Sequence, residues 1–286
     1  MGNSKQRAGK NLIVQGSILA IASILVRVMG MIYRIPMTAI IGDKGNGFYS
    51  YAYSVYTILL LLSSYSLPLA VSKMVSAKAQ LGQWRNVKRV FICAIAFAIG
   101  IGTTFGLIVL IGAQFFTRVF FHSELAAIAL RFMAPTILIM ALLGVFRGFF
   151  QGLQNTLPTA VSQIVEGLIN AIMSVVFAYF LFDFGHGMDV ASGTTDLGYA
   201  WGAAGGAIGT GAGALAGLIF CFILFVAYRK ILAVNISRDK TGTQQEYGDI
   251  FRLMLSIALP VILSTALYNL IELVDGSLFN NIMASK

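Results

Sequence analysis

Seven apolar segments, each long enough to cross a lipid bilayer, leave this chain little choice of fold. They run approximately from 11 to 41, 48 to 72, 89 to 116, 125 to 149, 157 to 182, 197 to 228 and 251 to 279. A helix needs roughly 20 apolar residues to cross the hydrocarbon core, and there every backbone N–H and C=O must be satisfied within the segment. The expected structure is an all-α polytopic membrane protein with about seven transmembrane helices. Composition agrees, with 58% of residues hydrophobic, 11% charged and a mean hydropathy of +0.83, against about a quarter charged in soluble domains. A net charge of +9 would suggest nucleic acid in a soluble chain. Here its distribution makes it a topology signal, and no nucleic-acid partner is expected.

Cytoplasmic flanks retain the excess of Lys and Arg. With the N-terminus inside, the inner flanks hold fourteen of the 20 basic residues: three between Lys5 and Lys10, five between Lys73 and Arg89, Arg147, and five between Arg229 and Arg252. Lys44, Arg118 and Lys286 lie in outer flanks, and Arg27, Arg34 and Arg131 lie within spans. A multi-pass protein with a cytoplasmic N-terminus follows. Its first span is not followed by a small-residue cleavage site and is read as uncleaved. Arg147, at the inner end of span four, is read as an interfacial anchor that snorkels. The acidic, Gly-rich stretch from Asp183 to Asp196 is read as a flexible external loop. Cys93 and Cys221 sit in apolar spans, and no metal site, disulfide framework or catalytic set is indicated. An odd number of spans ending near Lys286 suggests part of a longer protein.

Charges inside the spans need an explanation, because Arg at the centre of a membrane helix costs about 2.5–3.5 kcal/mol on insertion scales. Arg27 and Arg34 are two helical turns apart and share a face, which makes them candidate binders of an anionic substrate. Span seven carries Glu272 and Asp275, also on one face, at about the height of Arg34. They are read either as static partners of the arginines or as a switchable pair displaced by substrate. Glu166 in span five is a packed carboxyl or an ion or proton site. Gly205, Gly209, Gly213 and Gly217 recur every four residues in span six, leaving one face bare for close helix packing or for a sliding contact.

Three stretches carry a family resemblance. They are Arg34-Ile-Pro-Met-Thr-Ala-Ile-Ile-Gly42, Ser66-Leu-Pro-Leu-Ala-Val-Ser-Lys73 and, most specific, Arg147-Gly-Phe-Phe-Gln-Gly-Leu-Gln-Asn-Thr-Leu-Pro-Thr-Ala-Val-Ser-Gln-Ile-Val-Glu166. The chain resembles the polysaccharide-transport and stage V sporulation protein B family of the MOP superfamily, which includes MurJ-type lipid II flippases and MATE drug exporters. The resemblance implies a fourteen-helix transporter of two six-helix lobes plus two extra helices. This chain would supply the first lobe (1–230), a cytoplasmic linker (231–250) and a seventh helix that starts a second lobe (251–286), with the C-terminal half as a partner. It further implies a flippase of the bacterial cytoplasmic membrane that moves an undecaprenyl-pyrophosphate-linked saccharide, such as lipid II, by alternating access. Arg27 and Arg34 occupy the stretch that holds pyrophosphate in MurJ-type members, although their spacing is seven rather than the expected six and span two lacks an arginine carried by those relatives. No cofactor is implied, and coupling to Na+, H+ or membrane potential is open. Membrane lipids are expected partners. The alternatives are a cation-coupled exporter of the MATE type, with Glu166 as coupling residue, and a non-transporting scaffold in cell-wall or spore assembly.

Overall fold

A computed structural model describes the backbone of residues 2–284; side chains are described for residues 14–265 except Tyr65, and for Leu267 and Ile271. Among the described residues the fold is all helical. α1 (Gly2–Leu60) continues through a π-helical turn (Leu61–Tyr65) into α2 (Leu67–Gln80), followed by α3 (Trp84–Phe121), α4 (Ala126–Gly152), α5 (Leu157–Ser192), α6 (Leu197–Ser237) and α7 (Tyr247–Ala284). Six of these segments are long and apolar enough to cross a membrane by length and composition, the α1–α2 segment containing both of the first two expected spans. Several helices outrun the bilayer: α5 has 36 residues, about 54 Å of helix.

Spans one and two are separated by one residue rather than by a loop. Gly42 adopts φ 64° and ψ −178° inside α1, a conformation open to glycine and strained for other residues. The chain turns so sharply there that Met37 before it and Tyr49 after it both lie against Gly206 of α6. Two arms of α1 therefore face a common space, and Lys44 just past the turn bridges to Asp196 at 2.9 Å.

α6 is the central packing element. Its glycine stripe lies on α5, as the spacing required of a close helix contact. A Cβ on Gly205 would come within 2.4 Å of the Ala178 backbone nitrogen, and one on Gly213 within 2.6 Å of the Glu166 carbonyl. A second stripe, Gly144, Gly148 and Gly152 of α4, seats α2: a Cβ on Gly148 would be 2.7 Å from the Pro68 carbonyl. Next to it an aromatic cluster fills the core, with Phe91 stacked on Phe225 at 4.5 Å and Phe149 edge-on to the same ring. Large apolar side chains such as Ile111 and Phe180 point outward, as a lipid-facing surface requires.

Two connections differ from expectation. Asp183–Asp196 is not a flexible loop: α5 continues to Ser192, and buried Asp189 accepts hydrogen bonds from the backbone N–H groups of Leu197 and Gly198 at 3.0 and 2.8 Å. That carboxylate satisfies free N–H groups at the start of α6, which fixes the segment. The expected linker 231–250 likewise begins as the end of α6, and its remainder is pinned to the start of α3. Asn86 donates to the Thr243 carbonyl and accepts from the Gln245 N–H at 3.1 and 3.0 Å, while Arg89 reaches Gln244 at 2.7 Å.

Asp239 anchors this clasp. The Arg85 N–H, with help from the Thr241 hydroxyl and N–H, stabilises its carboxylate and lowers its pKa to about 2. A depressed carboxyl contributes stability that is complete above its ordinary value of 3.8 and is lost as pH falls through about 2. Amide hydrogen exchange across 240–246, corrected for intrinsic rates, should stay constant from neutral pH to that ordinary value and rise below it. Asp239→Ala should raise exchange already at neutral pH; unchanged protection in the variant would contradict the anchor role.

Candidate functional site

The two arms of α1, with α5 and α6, enclose a cavity of about 580 Å³. Arg27 and Arg34 both line it from the first arm, as their spacing on one helix face requires. From the second arm come Tyr49, Tyr53 and Tyr56, at positions i, i+4 and i+7 of one helix face. Tyr49 stacks on Tyr53 at 5.8 Å, and Tyr53 neighbours Tyr56 at 5.9 Å. Only Tyr53 offers substantial ring surface, with 39% of its area exposed against 3% for its two neighbours. The Tyr49 hydroxyl lies 3.3 Å from that of Thr210 on α6, which fixes the ladder against the helix behind it.

Glu166 and Asn170, one turn apart on α5, form part of the remaining wall. The structure thus brings Arg27, Arg34 and Glu166 into one cavity, which the sequence did not indicate. Gly167 explains how α5 approaches: a Cβ there would lie 3.1 Å from the Met29 methyl and 3.3 Å from Val26. Glu166 is therefore level with Arg27.

The charges are arranged unequally. Among the described residues neither Arg27 nor Arg34 belongs to an ion pair, whereas Glu166 accepts a hydrogen bond from Arg147 Nη2 at 2.6 Å. Arg147 also donates through Nε to Ser162 Oγ at 2.8 Å, and that hydroxyl donates to the Thr159 carbonyl at 2.7 Å. Arg147 is consequently not a snorkelling anchor. Its side chain is 11% exposed, because Arg147 lies within the packed bundle more than a turn before α4 ends at Gly152, and the guanidinium turns inward to Glu166.

Glu272 and Asp275, expected at the height of Arg34, lie outside the residues whose side chains are described. Gly205, Gly209, Gly213 and Gly217 are in the α6 packing face. The tyrosine ladder was missed in the sequence, although its i, i+4, i+7 spacing is visible there. The Arg147–Glu166 pair was missed as well; Arg147 and Ser162 stand nearly equidistant from the 153–156 turn, so an α4–α5 hairpin brings them together.

A cavity with two guanidiniums that have no carboxylate partner among the described residues, one exposed aromatic face and an internally compensated carboxylate can hold a polar anion. Guanidinium forks match phosphate oxygens and keep their charge in a dry site. Ring faces suit the C–H surface of a sugar or a prenyl chain.

Comparison with known proteins gives the chain relatives. Residues 13–286 match the family described as polysaccharide biosynthesis protein. The chain is 26% identical over 266 residues to stage V sporulation protein B of Bacillus subtilis, covering 91% of this chain and 48% of that protein. It is also 26% identical over 278 residues to lipid II flippase MurJ of the same organism, covering 93% and 48%. It spans about half the length of the curated relatives it matches. Among solved structures, a MOP superfamily transporter from Pyrococcus furiosus superposes with a TM-score of 0.60 at 17% identity, covering 87% of this chain and 51% of that one. A MATE protein in complex with MaD3S superposes at 0.61 and 15% identity, covering 87% and 52%. These two show a shared fold.

Proposed function

Because the chain belongs to the polysaccharide biosynthesis protein family, we propose that it takes part in flipping a lipid-linked, pyrophosphate-bearing saccharide across the bacterial cytoplasmic membrane. One observation carries the reading: Arg27 and Arg34 line a single membrane-embedded cavity without carboxylate partners among the described residues. Unpaired guanidiniums at that depth are expensive, and a pyrophosphate repays the cost. Similarity to lipid II flippase MurJ makes an undecaprenyl-linked cell-wall precursor the substrate we favour. The head group would pass through the cavity while its polyprenyl tail stays in lipid, and no covalent bond changes.

The N-terminus is assigned to the cytoplasm on the basic flanks. Those flanks lie at the end bearing the 81–83, 153–156 and 238–246 connections, opposite the Gly42 turn. Glu272 and Asp275 are assigned a competing role, holding the arginines when the substrate is absent. A second half of similar size would close the cavity from the other side, and a gradient of Na+ or H+, or the membrane potential, would drive the cycle.

Ligand chemistry tests this directly. In neutral-lipid nanodiscs, undecaprenyl pyrophosphate should bind at least about tenfold more tightly than undecaprenol, since each charge-assisted hydrogen bond adds about 1.5–3 kcal/mol. Salt should narrow the gap. Equal affinity for the neutral alcohol, or preference for a lipophilic cation such as tetraphenylphosphonium, would replace the reading with the exporter one.

A further inference from the structure

Glu166 is out of place in an anion site, because a free carboxylate level with Arg27 would repel the ligand and attract the guanidinium. The surroundings of Glu166 remove that conflict. Arg147 holds one of its oxygens at 2.6 Å without itself lining the cavity. The Ser162 hydroxyl fixes the guanidinium from the side, accepting from Nε and donating onward to the Thr159 carbonyl. Gly217 leaves room for the pair: a Cβ there would lie 3.5 Å from the Glu166 Cβ and 3.4 Å from the Ser162 carbonyl. With the pair formed, the wall presents a neutralised carboxylate and two guanidiniums that are free of ion pairs among the described residues. With it broken, Glu166 would place an uncompensated carboxylate in the wall that Arg27 also lines.

We propose that Arg147 is the specificity-determining residue of this cavity, masking Glu166 in a private ion pair so that Arg27 and Arg34 stay free for a phosphate-bearing head group. The proposal rests on the anion reading above. Arg147 is a positioning residue, acting through Glu166 and not on the ligand. The same pair also opposes a cation role for Glu166, whose charge is already compensated.

The test uses the protein expressed from its intact gene, in phosphatidylcholine nanodiscs, with undecaprenyl pyrophosphate as probe. Arg147→Gln should weaken binding about tenfold, the scale of one unmasked charge several ångströms from the ligand. Glu166→Gln should bind as tightly as wild type or more so. The double variant Arg147→Gln/Glu166→Gln, which like the intact ion pair carries no net charge, should return to within about twofold of wild type. A double variant as weak as Arg147→Gln, or a Glu166→Gln variant weaker than wild type, would overturn the masking role. If Arg147→Gln fails to fold, the comparison of the double variant with wild type still decides: binding within about twofold supports masking and a weaker double variant refutes it. Arg27→Gln reports on the anion reading separately. If it binds like wild type, or if wild type does not bind, that reading fails and masking falls with it. If it loses binding while the double variant is not rescued, masking alone fails.

Discussion

A single methyl group on Gly209 is expected to remove most of the folded protein. The Cβ of Gly209→Ala would stand 2.2 Å from Ser174 Oγ and 2.3 Å from its backbone nitrogen. Ser174 cannot swing away cheaply, since it is buried and donates to Asn170 Oδ1 at 2.8 Å, with the Gly206 carbonyl 3.3 Å away. Relief requires α5 and α6 to separate, and close backbone approach is the main source of helix association in lipid. Overpacking a core costs about 1–3 kcal/mol, and obstruction by backbone places this substitution at about 3 kcal/mol or more. Gly100→Ala is the control, because a Cβ there meets nothing within 4 Å and the change favours helix. Thermal unfolding in detergent should show a large loss for the first variant and none for the second. A Gly209→Ala protein that melts like wild type but fails to transport would instead identify the stripe as a sliding surface.

Much of this fold is legible in the sequence because the bilayer allows so few solutions. Apolar length gives the helices. The ends are less legible: the hydropathy of a span stops at the membrane, whereas α5 and α6 continue into water, held by contacts between distant residues. Asp189 looked like a loop acid, and its role as a helix-start acceptor depends on where α6 begins. The turn at Gly42 has the same origin, since a reversal inside one apolar run leaves no polar loop to announce it.

The site divides along similar lines. Arg27 and Arg34 could be singled out from their cost in lipid and paired from helical spacing alone. Glu166 could be singled out but not placed, because its partner lies across a turn. The rule that basic residues at span ends snorkel points Arg147 outward, while its burial in the bundle turns it inward. Tyr49, Tyr53 and Tyr56 carry no charge, and a regular aromatic spacing within an apolar run does not separate a cavity wall from ordinary core.

Removing the two cavity guanidiniums together should have the largest functional effect. Arg27 and Arg34 are both exposed to the cavity, so Arg27→Gln/Arg34→Gln should insert and melt like wild type. Losing two charge-assisted contacts of about 1.5–3 kcal/mol each should lower translocation about 100-fold or more. The direct measurement is a head-group accessibility assay, in which a reagent confined to the outer side reports how much lipid-linked saccharide has crossed. With the double variant in the intact gene and membrane levels equal to wild type, the account predicts that the head group stays on the inner side. Wild-type appearance of the head group outside would contradict it.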